Sequence, residues 1–305
     1  MKSPATSPSA AANNIRAAAL MVASQAAFAV NDALVKLSSG SIETAQIMAL
    51  RGVMTTTLLV ALALWFGALL PIRHAFHPAV MCRALADIAT TIAYISALRH
   101  MPLANTTAIF QALPLTITLL AAIFLREQVG WRRWCAIATG FLGVLVIVRP
   151  DSEGFNIYAV WVVLSVLAAA VRDLVTRAMP SSIPSLHVAC ITAGAVCLTG
   201  FAWLPVAGWQ PMTGSLWAML AVAAVAVGVG YVLIVLAVRM GDMSFVAPFR
   251  YTVLLSAFVL GIVIFAEIPQ PSALLGSAIV VASGAYMIRR ETRRGIKTAA
   301  EAEVP

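Results

Sequence analysis

The sequence predicts an all-α membrane protein with ten transmembrane helices, arranged as two inverted five-helix repeats. Three observations lead there. First, the 305 residues are 61% hydrophobic and only 10% charged, with a mean hydropathy of +0.94. A soluble domain carries about 25% charged residues, so this chain has too little polar surface to cover a water-soluble globule. Second, Gly, Pro and charged residues punctuate it into ten apolar runs, each near the ~20 residues that a bilayer-crossing helix needs. Third, rare charged residues of the first five runs recur in the last five.

The runs fall near 17–37, 44–69, 79–99, 102–125, 131–148, 156–177, 184–206, 214–237, 244–265 and 271–288. Trp65, Trp131, Trp134, Trp203, Trp209 and Trp217 sit near their ends, where amphipathic indoles meet headgroups. The Ser/Ala/Pro-rich segment 1–16 and the basic segment 289–305 are expected to be disordered cytoplasmic tails. The first run is too long for a signal-peptide core, so no cleavage is expected. Cys82, Cys135, Cys190 and Cys197 form no CxxC pair and lie in apolar runs, which suggests reduced, buried thiols.

A net charge of +8 would point to nucleic acid in a soluble protein. Here the bases cluster in short loops between apolar runs, so they are topology signals and no nucleic-acid partner is expected. With both termini in the cytoplasm, the inner loops and tails hold most Lys and Arg, while the outer loops hold Lys36, Arg99 and Arg149. That asymmetry predicts cytoplasmic termini.

The repeat shows when ALRHMPLANTTAIFQALPLTITLLAAIFLREQ is written above AVRMGDMSFVAPFRYTVLLSAFVLGIVIFAEIPQ. Arg99 then aligns with Arg239, Gln111 with Tyr251 and Glu127 with Glu267. One residue more of offset aligns Asp32 with Asp173 and Lys36 with Arg177. The units are 17–149 and 150–288. Five spans is an odd number, so the second unit enters the membrane upside down. That inverted arrangement is typical of secondary transporters, whose solute sites lie near the midplane between halves.

Charge inside a membrane span is costly and usually faces protein or water. In FAVNDALVKL and AAVRDLVTR an acid precedes a base by four residues, the favourable order for a helical ion pair, so Asp32–Lys36 and Asp173–Arg177 are expected to pair. Asn31, Asp32, Arg172 and Asp173 lie one turn deeper and are candidates for facing a cavity. Arg51 stands alone in an apolar run and would bind an anionic group or neighbouring carbonyls. Arg83 and Asp87, four apart, are expected to form a structural bridge. Pro114 is expected to bend the fourth span. Gln111 lies in that span, and Arg250 and Tyr251 follow Pro248, where a missing N–H frees a carbonyl and breaks the helix. Glu127 and Glu267 are expected to be helix-end anchors. The candidate substrate-binding set is therefore Asn31, Asp32, Arg51, Gln111, Arg172, Asp173, Arg250 and Tyr251, with aromatic stacking from Tyr251, Phe110 and Phe249.

These residues resemble those of the drug/metabolite transporter superfamily, specifically its EamA-type ten-helix carriers. The resemblance covers residues 17 to 288. It rests on the tandem copies, on PLANTTAIFQALPLTITLLAAIFLRE ending in Glu, and on the matching VLGIVIFAE. FAVNDALVKL, RALADIATTIAYISALRHMP and VAPFRYTVLL are similar to a bacterial subgroup that includes riboflavin and S-adenosylmethionine transporters. The resemblance implies a multi-pass protein of the bacterial inner membrane with a central cavity. It also implies a carrier of a small polar metabolite, a vitamin such as riboflavin, with S-adenosylmethionine or an amino-acid-type metabolite as the alternative. Fold alone does not name the cargo.

Other classes find little support. There is no GxxxxGK[ST] loop for ATP hydrolysis, no HExxH or GxSxG, and no nucleophile–base pair, so an intramembrane enzyme is a remote alternative. Nothing resembles a selectivity filter. No catalytic, metal or cofactor site is expected. The partners are a small-molecule solute and the lipid bilayer, and a homodimer stays open, as do import versus export and proton coupling versus uniport.

Overall fold

The computed structural model describes residues 8–67, 71–126, 130–149, 157–180, 183–241 and 243–302. Among them are ten helices long and apolar enough to cross a membrane. In chain order these are α1 (Pro8–Ser39), α2 (Thr44–Trp65), α3 (Pro78–His100), α4 (Leu103–Phe110) continued by α5 (Leu113–Phe124), and α6 (Trp131–Val148). The second half contains α7 (Tyr158–Arg177), α8 (Ser185–Ala207), α9 (Gly214–Met240), the short α10 (Met243–Val246), α11 (Thr252–Phe265) and α12 (Pro271–Ala302). An even number of crossings leaves both ends of the chain on one side, here the terminal face. The other side is the far face.

The segments expected to be tails are helical over 8–16 and 289–302. Helix-favouring Ala, Glu, Lys and Arg let the flanking spans propagate outward. Residues 1–7 and Glu127 lie outside the described residues. Cys190 and Cys197 are buried as expected, whereas Cys82 and Cys135 lie on the outer surface of the bundle, where lipid accepts a thiol as readily as a core does.

Helices pair across the halves. The main contacts join α1 to α9, α7 to α3, α2 to α8, and α6 to α12. Exchanging the halves converts the first pair into the second and returns each of the last two to itself, as two inverted units require. Small residues allow the close crossings. A methyl group on Gly200 of α8 would sit 2.4 Å from the Ala49 backbone nitrogen of α2, so only glycine permits this approach. Polar glue adds to it: the buried Ser24 hydroxyl of α1 donates to the Gly230 carbonyl of α9 at 2.8 Å.

Spans four and nine are broken at equivalent places. Span four is interrupted at Gln111–Ala112, just before Pro114, and span nine begins as a 3-10 turn over Ala247–Tyr251 that contains Pro248. Each proline removes an intrahelical donor and cannot accommodate the carbonyl one turn earlier.

The largest apolar cluster lies toward the far face. Val35, Ile42, Ile47, Met48, Ile95, Leu98, Leu103, Leu216 and Leu220 pack together, with Trp203, Met212 and Phe265 against them. It draws on α1, α2, α3, α4, α8, α9 and α11, and it roofs the middle of the bundle.

Candidate functional site

Beneath that roof lies a polar network contributed by both halves. On α1, Asn31 donates from Nδ2 to Asp32 Oδ1 at 2.8 Å. Arg51 of α2 donates from Nη1 to Asn31 Oδ1 at 2.8 Å, and the Tyr94 hydroxyl of α3 donates to Asp32 Oδ2 at 2.8 Å. From the second half, Arg172 of α7 donates to Asp87 of α3 at 3.0 Å and to its neighbour Asp173 at 2.8 Å. Asp87 and the Tyr231 ring of α9 lie within electrostatic reach of both Arg51 and Arg172, which joins the clusters. Two edge-to-face aromatic pairs flank them, Phe28–Tyr231 with centroids 5.8 Å apart and Tyr94–Phe110 at 5.0 Å.

Five of the eight residues expected to bind solute thus come together: Asn31, Asp32, Arg51, Arg172 and Asp173. Gln111 lies at the break in span four, half-buried. Arg250 and Tyr251 sit apart from the network. Arg250 is exposed, and the buried Tyr251 inserts into the notch left by Gly284 of α12, where a methyl group would meet its hydroxyl at 1.8 Å. Among the described residues the Tyr251 hydroxyl has no hydrogen-bond partner. The broken helix at Pro248 is real, but it turns the aromatic ring toward span ten.

The expected pairings also differ. Lys36 does not pair with Asp32. It forms an ion pair with Glu267 at the far end of span nine, donates to the Met101 carbonyl at 2.6 Å, and lies 4.8 Å from the Phe265 ring centroid. Glu267 also accepts from the Leu103 backbone N–H at 2.8 Å, which caps α4. The residue expected to anchor one helix end therefore ties three spans together. Asp173 pairs with Arg172, not with Arg177, and Asp87 pairs with Arg172, not with Arg83. Arg83 donates to the Thr176 hydroxyl at 2.8 Å. The i,i+4 rule describes solvated helices. In a bundle, a long side chain reaches a neighbouring helix as easily as its own next turn.

The two faces are unequal. Ala33 and Val35, beside the network on α1, are 0% and 2% exposed. At the repeat-equivalent places on α7, Leu174 and Thr176 are half-buried and Arg177 is exposed. Tyr231, within electrostatic reach of both arginines, is 45% exposed. The packing around the network is therefore tighter toward the far face than toward the terminal face. Further ties close the far face. Arg99 pairs with Glu43 at 2.7 Å, and the Gln46 side chain exchanges two 2.9 Å hydrogen bonds with the Gln210 backbone.

With this geometry in view, comparison with known proteins gives a family. Residues 15–149 and again 156–289 match the EamA-like transporter family. The chain belongs to that family. Among its EamA-like relatives is an S-adenosylmethionine uptake transporter of Rickettsia felis, 28% identical over 63% of this chain and 65% of the relative. A riboflavin transporter of Rhizobium johnstonii is 29% identical over 68% of each chain. The pseudopaline exporter CntI of Pseudomonas aeruginosa is 26% identical over 90% of this chain and 96% of its own. The match thus spans about two thirds of the length of the first two relatives. A solved crystal structure superposes with a TM-score of 0.60 at 19% identity, covering 90% of this chain and 98% of the other. That likeness concerns the fold alone.

Tyr94 and Asp87 complete the network, with Tyr231 nearby; the sequence offers the two tyrosines as hydroxyls in spans three and eight and Asp87 as a bridge partner of Arg83, and none of the three belongs to the expected binding set. A signal for them existed, since each is a polar side chain inside an apolar run. What was missing was which helices would face one another.

Proposed function

We propose that this chain is a secondary carrier that moves a small polar organic metabolite across the bacterial inner membrane by alternating access, with the terminal face in the cytoplasm. The observation behind this reading is the central acid–base network, built jointly by the two halves and packed more tightly toward the far face than toward the terminal face. A solute held between two halves is carried when one half rocks against the other. Charges that cost several kcal/mol in lipid are retained because they face that solute and its water. The excess of Lys and Arg in the loops of the terminal face supports a cytoplasmic orientation.

Riboflavin and S-adenosylmethionine are the first solutes to test, because relatives carry those names. Aromatic edges at Tyr94–Phe110 and Phe28–Tyr231 would flank a ring. The test is counterflow into proteoliposomes preloaded with unlabelled solute. Saturable accumulation of label, lost in Arg172→Met, is the expected result. Flux that is non-saturable and shows no counterflow would replace the carrier with a channel.

A further inference from the structure

Arg51 and Asp32 lie close enough to feel one another's charge, yet among the described residues they form no ion pair. Asn31 stands between them. Its carbonyl oxygen accepts from the guanidinium and its amide nitrogen donates to the carboxylate, each at 2.8 Å. Tyr94 holds the other carboxylate oxygen at 2.8 Å. The acid and base are thus fixed apart and prevented from collapsing onto each other. A guanidinium has five N–H donors and a carboxylate about four acceptor sites. Asn31 and Tyr94 use only a fraction of them, and no Arg51 or Asp32 atom is both buried and unsatisfied.

The Asn31 amide is a neutral dipole with its donor end on the acid and its acceptor end on the base. A molecule carrying an ammonium beside a carboxylate has the same polarity with full charges, and charge-assisted hydrogen bonds are about twice as strong as neutral ones. We infer that the Arg51–Asn31–Asp32 constellation is a receptor for a zwitterionic head group. In this arrangement Arg51 binds the carboxylate of the solute, Asp32 binds its ammonium, and Asn31 is the positioning residue that keeps the two apart. The network is consistent with that class. Arg172 is shared by Asp87 and Asp173, so that trio keeps one negative charge in excess, while Arg51 and Asp32 offer the solute one base and one acid. A zwitterionic head leaves neither Arg51 nor Asp32 unmatched, burial makes an unmatched charge costly, and the surplus acid tolerates a further positive charge such as the sulfonium of S-adenosylmethionine.

This inference rests on the carrier reading, and the experiment separates the two. Binding to the purified full-length protein is measured by titration calorimetry with four probes. These are S-adenosylmethionine, L-methionine, 5′-methylthioadenosine (the same nucleoside without the amino-acid head) and riboflavin. Methionine and S-adenosylmethionine are expected to bind, with 5′-methylthioadenosine and riboflavin at least about tenfold weaker, the scale of one charge-assisted bond. Asp32→Asn keeps the shape and the Tyr94 contact. It is expected to weaken methionine by about tenfold or more while affecting its keto-acid analogue, which lacks the ammonium, much less. Arg51→Met is expected to weaken both. Because Arg51→Met could unfold the protein, Arg51→Lys serves as the second variant, keeping the charge while losing the fork. Riboflavin or 5′-methylthioadenosine binding as tightly as the zwitterions, or no zwitterion binding at all, would overturn the proposal. So would methionine binding indifferent to Asp32→Asn. Riboflavin counterflow without zwitterion binding would leave the carrier reading standing and remove this one. Zwitterion binding without counterflow would do the reverse.

Discussion

Glu267→Gln is the most informative perturbation of the far face. Glutamine keeps the size of the side chain and an acceptor for the Leu103 N–H, so the cap on α4 survives. What is lost is the charge opposite Lys36, whose side chain is only 10% exposed, against 21% for Glu267. Removing one partner of a buried pair costs about 3–5 kcal/mol, whereas exposed pairs are worth at most about 1 kcal/mol. The Met101 carbonyl and the Phe265 ring still hold Lys36, so a loss of about 2–3 kcal/mol is reasonable. That penalty falls on the state with the far face shut. At about 1.4 kcal/mol per tenfold, the closed-to-open ratio should drop about 30- to 150-fold. The assay is labelling of a cysteine at position 35, in a background freed of the native thiols, by a membrane-impermeant maleimide added from the far side. Val35 is 2% exposed, so labelling is slow while the roof stands. It should accelerate by at least an order of magnitude in Glu267→Gln. The exchanged pair Lys36→Glu with Glu267→Lys should restore slow labelling. An unchanged rate in Glu267→Gln would refute the reasoning and assign closure to the apolar roof together with the Arg99–Glu43 and Gln46–Gln210 ties.

Three further outcomes are expected. Gly200→Ala and Gly194→Ala place the same methyl on α8. It would meet the α2 backbone at 2.4 Å from position 200 but only a side-chain methyl at 3.9 Å from position 194, so thermal unfolding in detergent should separate the variants by about 1–3 kcal/mol, with Gly194→Ala the more stable. Tyr251→Phe removes a buried hydroxyl that has no partner and should leave stability equal or slightly higher and transport unchanged. A fall in transport would return Tyr251 to the binding site. Gly284→Ala, by contrast, should displace the Tyr251 ring and lower the melting temperature by several degrees, checked in the same unfolding assay.

Much of the architecture is legible in the residues because lipid leaves the chain little choice. Every backbone group must be satisfied within its own helix, so run length alone marks the spans. The paired breaks follow from Pro114 and Pro248. The site was less legible, for a reason visible at Lys36. Its partner Glu267 is 231 residues away, and local spacing favoured Asp32, which in the fold faces Tyr94 instead. Arg250 shows a different gap between sequence and fold. A base after a proline carries the marks of a binding residue, but its position toward the terminal face leaves it exposed beyond the network. Helix pairing decides such cases, and the charge pattern of a single helix does not encode it.

The tight crossing of α2 and α8 has a mechanical consequence. Gly200 lies 7 residues from the far end of α8 and 15 from its other end, while Ala49 lies 5 and 16 residues from the two ends of α2. At 1.5 Å per residue the arms are roughly 8–10 Å on one side of the contact and roughly 22–24 Å on the other. With the closest approach acting as the fulcrum, a given tilt displaces the long arms more than twice as far as the short ones. In the rocking motion proposed above the helices would work as unequal levers, a small displacement beside the far roof matching a wider one at the terminal ends of α2 and α8.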